Sequence, residues 1–195
     1  MGDGRCAWFV LLRPMFIRAI AILNFACLLL IGAAAVRAQE SQPSEYQLKA
    51  AFVYNFAKFV EWPATALPLD ASPFVIGILG ENPFGEDLKR TVAGKKISDH
   101  PISVVTFSTV KEATNCHVLF ISRSETSRLA DIFKRLQTAP VLTVGETDQF
   151  TEAGGMIGFV TEANKIRFQI KDETAKAAGL KVSSKLLSLA VRSVR

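Results

Sequence analysis

Cysteine and histidine are scarce in this 195-residue chain, with three of the first and two of the second. Cys6 and Cys27 fall in an apolar N-terminal segment, so Cys116 stands alone in the remainder and an internal disulfide is excluded there. His100 and His117 sit in neither an H-x-x-x-H nor a Cys-x-x-Cys arrangement, and the spacing offers no zinc site. Cys116 and His117 are adjacent, but neighbours along a strand point to opposite faces, which serves a nucleophile and its base badly. A G-x-S-x-G elbow is missing as well. The glycines between Gly77 and Gly85 lack both the Lys-Ser/Thr of a phosphate-binding loop and the spacing of a dinucleotide fingerprint. With no acid, base, nucleophile or metal set assembled, the sequence predicts a protein that is not an enzyme and needs no cofactor. Cys116 reads as an inert free thiol that packs like a small hydrophobe.

Charge is absent from residues 19–35, and that apolar run follows Arg5, Arg13 and Arg18. Val36 and Ala38 then place small residues at −3 and −1 of a cleavage site, so residues 1–38 read as a secretory signal. Met15 is a second possible start, because Met15 to Ala38 alone has the length and early arginine of such a signal. A membrane anchor is the competing reading, but no basic stop-transfer cluster closes the run. Cys27 lies in mid-run without the small-residue pattern of a lipoprotein. Residues 39–195 then form the exported domain, with no insertion into the membrane after cleavage.

The excess of positive charge is largely lost with the signal. Arg5, Arg13, Arg18 and Arg37 against Asp3 account for +3 of the formal +5, leaving +2 on residues 39–195. A nucleic-acid partner therefore has no electrostatic footprint to match.

Within the exported part, Ser44-Glu45-Tyr46-Gln47 has the form of a capping box. Leu48, Phe52, Phe56, Phe59 and Val60 follow at helical spacing until Trp62-Pro63. Residues 73–80 are a continuous apolar run, as in a strand covered on both faces, and a helix over 84–93 ends at Gly94. Residues 102–107, 117–122 and 141–144 are further strand candidates, and Leu129, Ile132, Phe133 and Leu136 share one face of a helix. Residues 156–161 and 166–170 are joined so briefly that they must be antiparallel. Two helices finish the chain: one begins at Asp172 and stops at Gly179, and the other is capped by Ser183 with Leu186, Leu187, Ala190 and Val194 inward. The pattern predicts a single three-layer α/β domain. Its sheet is largely parallel with an antiparallel C-terminal hairpin, and helices cover both faces.

Asn55, Lys58 and Glu61 interleave with the aromatics of the first helix, and Arg167 stands among apolar residues of the last predicted strand. Each reads plainly as a solvated side chain. The nearby aromatic surface of Phe56, Phe59 and Trp62 makes Asn55, Phe56, Lys58, Phe59, Trp62 and Arg167 the candidate contact residues for a partner or ligand.

Several blocks carry a resemblance. Lys49-Ala50-Ala51-Phe52-Val53-Tyr54-Asn55-Phe56-Ala57-Lys58-Phe59-Val60-Glu61-Trp62-Pro63, Gly77-Ile78-Leu79-Gly80, Pro83-Phe84-Gly85 and Cys116-His117-Val118-Leu119-Phe120-Ile121-Ser122 come first. Gly154-Gly155-Met156-Ile157-Gly158-Phe159 and Ala178-Gly179-Leu180-Lys181-Val182-Ser183-Ser184-Lys185-Leu186-Leu187 complete the set. In this order they resemble the YfiR/HmsC family of periplasmic regulatory proteins. The resemblance implies a periplasmic repressor that binds the sensor region of an inner-membrane diguanylate cyclase, lowers cyclic-di-GMP and restrains biofilm formation. It also implies a homodimer and, in some members, dependence on disulfides; the lone Cys116 departs from that pattern, leaving an intermolecular bond as the sole option. The alternative is a periplasmic small-molecule sensor or carrier, with a pocket at the carboxyl ends of the parallel strands near Gly80, Ser122 and Gly145.

Overall fold

The computed structural model describes residues 43–67 and 72–193. The signal expected at 1–38 and Val194 lie outside the described residues. The chain enters helix α1 (Glu45–Lys58) through the expected capping box: the Ser44 side chain accepts from the Gln47 amide, and the Gln47 side chain accepts from the Ser44 amide. After the short strand β1 (Val60–Glu61) come β2 (Phe74–Leu79), α2 (Asp87–Val92), β3 (Lys96–Ile97) and β4 (His100–Phe107). The middle of the chain holds β5 (Val118–Ile121), α3 (Leu129–Leu136) and β6 (Leu142–Gly145), with 3-10 turns at Glu112–Asn115 and Arg123–Arg128. It ends with β7 (Ile157–Glu162), β8 (Lys165–Ile170), α4 (Asp172–Ala177), β9 (Lys181–Val182), α5 (Ser184–Leu189) and β10 (Arg192–Ser193).

Eight strands form the main sheet in the order β10-β8-β7-β6-β5-β2-β4-β3. β4, β2, β5, β6 and β7 run parallel, while β7–β8 and β3–β4 are antiparallel. The three-layer expectation holds. Ile76, Ile78, Val118, Phe120, Leu142 and Val144 face a core closed by α1, α2, α4 and α5. On the other face, Leu79, Leu119 and Ile121 meet Leu129, Ile132 and Leu136 of α3. Burial of the central strands on both faces, broken only at half-buried Val75, is why they read as unbroken apolar runs instead of alternating ones.

Three pairings were not expected from sequence, the first being that of β10 with β8, which corrects the expectation that the last helix continues to Val194: it ends at Leu189. The β3–β4 hairpin turns at Ser98 (φ 45°) and Asp99 (φ 70°), residues that enter the left-handed region without the glycine that usually marks such a turn. β1 and β9 form a two-stranded antiparallel sheet of their own, with Val60 opposite Val182. Each is two residues long, below what a periodicity can report.

Phe150 explains two glycines. A methyl group on Gly145 or Gly155 would lie 2.2 Å from a carbon of the Phe150 ring, which is held between them and meets Phe133 edge-on at 5.4 Å. Gly155→Ala is therefore expected to cost about 1–3 kcal/mol through overpacking. Urea unfolding monitored by circular dichroism reads this directly, and an unchanged midpoint would mean that the ring is free to move.

Candidate functional site

The aromatic side chains of α1 divide according to their depth. Phe56 is fully buried, meeting Phe168 at 4.9 Å and Phe159 at 5.6 Å between ring centroids. This corrects its assignment as a contact residue: it is part of the wall of rings that fixes α1 to β7 and β8, joined by Phe52. Each ring so removed from water contributes about 1.5–3 kcal/mol. Phe59 is half-buried, with Lys185 Nζ 5.4 Å from its ring centre and its carbonyl accepting from the Ser183 amide at 3.0 Å. Trp62 is half-buried too; its indole N–H donates to the Ala57 carbonyl at 3.1 Å and its ring packs edge-on against Phe74.

Asn55 and Lys58 are exposed on the solvent side of α1. Arg167 is exposed as well, but it neighbours Phe168, whose ring faces α1, so strand alternation puts Arg167 on the opposite side of the sheet. The six candidates thus do not form one patch. Asn55 and Lys58 share a helix face, Phe59 and Trp62 lie behind its C-terminal end, and Arg167 stands apart.

Cys116 and His117 are each committed to backbone partners. The Cys116 thiol, 4% exposed, donates to the Ala113 carbonyl, and burial pushes its pKa up to about 12. A thiol so placed is shielded from oxidants and from a second chain, and an intermolecular bond through it would require the domain to open. His117 stacks on Phe74 at 4.4 Å. The Val75 amide donates to its Nδ1 at 3.0 Å, so the ring hydrogen sits on Nε2, which donates to the Ala66 carbonyl at 2.8 Å. Burial lowers the His117 pKa, an effect that the Ala66 carbonyl opposes.

A buried ion pair is the feature that sequence reading missed. Lys49 is 3% exposed, and its ammonium donates to Glu146, itself 4% exposed, and to Glu45 at the helix surface. The Tyr46 hydroxyl donates to Glu146 Oε1 at 3.1 Å, and Arg123 Nε stands 3.6 Å from the same oxygen. Burial alone would pull the Lys49 pKa down; its hydrogen bonds to Glu146 and Glu45 outweigh this and raise it. Burial, reinforced by the negative charge of Glu146, raises that of Tyr46. One signal existed: Lys49, Val53 and Phe56 recur on the same helical face, so the lysine had to point inward with the apolar residues.

Glu146 directly follows β6, at the carboxyl ends of the parallel strands. The pocket expected there near Gly80 and Ser122 is instead filled. Ser124 Oγ accepts from the Glu81 amide at 3.1 Å, and a methyl on Gly80 would come within 2.9 Å of the Glu125 side chain. Open space lies beside Gly145, where a cleft of about 430 Å³ is lined by Lys49, Arg123, Glu146, Thr147 and Gln169 among others. The Thr147 hydroxyl is buried there without a hydrogen-bond partner among the described residues.

Two tests follow from these groups. Lys49→Met leaves Glu146 buried without its cation and should cost about 3–5 kcal/mol in urea unfolding, whereas Lys49→Met with Glu146→Leu should recover most of that loss. Equal loss in single and double variants would show that shape, not charge, dominates. For His117 the sign is fixed by a lowered pKa: stability is complete above the ordinary 6.5 and declines as pH falls below it, where the unfolded chain binds the proton more readily. Denaturation between pH 5 and 8 should show that slope in the native chain and not in His117→Gln.

Comparison with known proteins gives the chain its relatives. The YfiR/HmsC-like family matches residues 46–191, from the first turn of α1 to the residue before β10. The crystal structure of a conserved domain protein from Vibrio cholerae O1 biovar El Tor superposes with a TM-score of 0.53 at 13% identity, covering 77% of this chain. That likeness is one of fold, and this chain spans 60% of the other's length. No curated protein matches. With its profile matched across three-quarters of its length and the expected blocks in order, the chain belongs to the YfiR/HmsC-like family.

Proposed function

We propose that this protein binds the periplasmic sensor region of an inner-membrane diguanylate cyclase, holds it in its inactive state, and so lowers cyclic-di-GMP and restrains biofilm formation. The observation that carries the reading is the family match over residues 46–191, which spans nearly the whole described domain. No helix among the described residues is long and apolar enough to cross a membrane, as suits a partner that meets its target in the periplasm. Repression needs no chemistry. It needs only a higher affinity for the inactive sensor than for the active one, and release then becomes the signal.

Asn55 and Lys58 are the contact residues this reading favours, because a rigid helix presents both to solvent. Lys58→Glu should weaken capture of the cyclase about tenfold while leaving the unfolding midpoint unchanged. Deletion of the protein should raise cyclic-di-GMP, and a periplasmic pull-down read by mass spectrometry should recover a membrane cyclase. Recovery of no cyclase together with unchanged cyclic-di-GMP would sink the repressor.

A second reading, a small-molecule sensor or carrier, is favoured by the cleft beside Gly145 with its buried, unpartnered Thr147 hydroxyl. It predicts a rise in thermal stability with one member of a metabolite panel.

A further inference from the structure

The two edges of the main sheet are protected unequally. Beyond β8, β10 pairs only with Gln169 and Ile170, but the uncovered part of that strand carries Lys165 and Arg167, charges that discourage pairing with another chain. At the opposite edge β3 pairs only with His100 and Pro101. Among the described residues nothing pairs with the outer side of residues 102–107. The sequence there, Ile102-Ser103-Val104-Val105-Thr106-Phe107, continues through Ser108-Thr109-Val110 without a charge, a glycine or a proline. None of the usual guards is present, and β-branched residues dominate.

The direction of the free groups follows from one hydrogen bond. The Phe107 carbonyl accepts from the Gly80 amide at the end of β2, so the main-chain groups of Phe107, Val105 and Ser103 point toward β2. Those of Ile102, Val104 and Thr106 therefore point outward. Val105 is 39% exposed, an apolar side chain that an added strand would help to cover.

Charge at one end specifies what the added strand carries. Lys95 and Lys96 are exposed where β3 begins, and Lys95 Nζ lies 4.5 Å from the centre of the Tyr54 ring. Lys58 follows Tyr54 one helical turn later. None of the three ammonium groups pairs with a carboxylate among the described residues; of the acids closest in sequence, Glu61 is paired with Lys181 and Asp99 lies in the β3–β4 turn.

We infer that the free edge of β4 receives, as an extra strand, an extended uncharged segment of a partner polypeptide whose carboxylate-bearing end lies against Lys58, Lys95 and Lys96. A second copy of the chain fits less well. Antiparallel self-pairing about Val104 would carry the second copy's chain beyond Thr106 into β3, which already occupies the edge beside His100 and Pro101. A foreign segment can end at Ile102. Binding of this kind takes its affinity from main-chain hydrogen bonds and its selectivity from the flanking charges.

The test uses the purified protein and a blocked peptide of alternating valine and threonine with glutamates at one end, so it does not depend on the cyclase assignment. Amide exchange by NMR should find Ile102, Val104 and Thr106 fast in the free protein and slowed by the peptide, with Ser103 and Val105 slow in both. Anisotropy should give a Kd of roughly 1 mM or tighter, weakened about tenfold in Lys95→Glu with Lys96→Glu. Val104→Pro, which removes an outward N–H, should abolish binding; Thr106→Lys, an edge charge at an exposed position, serves if that variant does not fold. Protection elsewhere, or binding unchanged in these variants, would overturn the inference. So would a dimer whose three outward amides are already slow without peptide, since a second copy would then hold the edge.

Discussion

A lysine ammonium can be kept from water only if a carboxylate and further hydrogen bonds meet it there, and much of this domain is arranged around that condition at Lys49. Glu146 can serve because it follows β6, a strand held on both sides by β5 and β7. The pair therefore ties α1 to the centre of the sheet at a point that local propensity does not choose. Tyr46 and Arg123 complete the site, so the carboxylate answers to α1 and to the turn at Arg123–Arg128 at once. A hydrophobic pair could hold α1 as firmly. What the ionic pair adds is direction, because a methyl group tolerates a rotation of the helix that a shared carboxylate oxygen does not.

Once α1 is fixed, the rest of its face follows. Phe52 and Phe56 reach Phe159 and Phe168, and the C-terminal end of the helix delivers Phe59 and Val60 to the β1–β9 pairing. That small sheet returns the chain to α5 through the capping hydroxyl of Ser183, which accepts from the Leu186 amide. The aromatic density of the first helix is thus spent inward. Its outer face, with Asn55 and Lys58, is left polar and rigid, a suitable combination for recognition because little conformational freedom remains to be lost on binding.

Legibility in the sequence tracked the length and depth of each element. β2, β5 and β6 were readable because apolar side chains are required on both faces of a central parallel strand. The capping box at Ser44 and the glycine stops at Gly94 and Gly179 were readable because their geometry needs those residue types, and all three glycine or cap positions behave accordingly. β3 was hidden by its two residues and by a turn at Ser98-Asp99 that lacks the expected glycine. The partial failure at the site has a different origin. Helical spacing marks Phe56 as apolar but cannot say whether the apolar face meets a sheet or a partner, and Arg167 was grouped with the aromatics for their nearness although the alternation of its own strand sends it to the other side. Lys49 and Glu146 are 97 positions apart, and nothing local to either announces the other.

The same depth argument bears on where a regulator of this build can act. Thiol and imidazole, the two reactive groups that the sequence sets side by side, are both consumed by backbone partners at the amino ends of β2 and β5. Most of the large apolar side chains are in one of the two cores. The outside offers, among other surfaces, polar helix surface, the cleft at the end of β6, and an uncharged strand edge. Such surfaces suit reversible association better than permanent assembly, which calls for a broad apolar face. The repressor proposed above has use for contacts of that moderate kind, because the differential affinity that would switch its partner needs only a few kcal/mol.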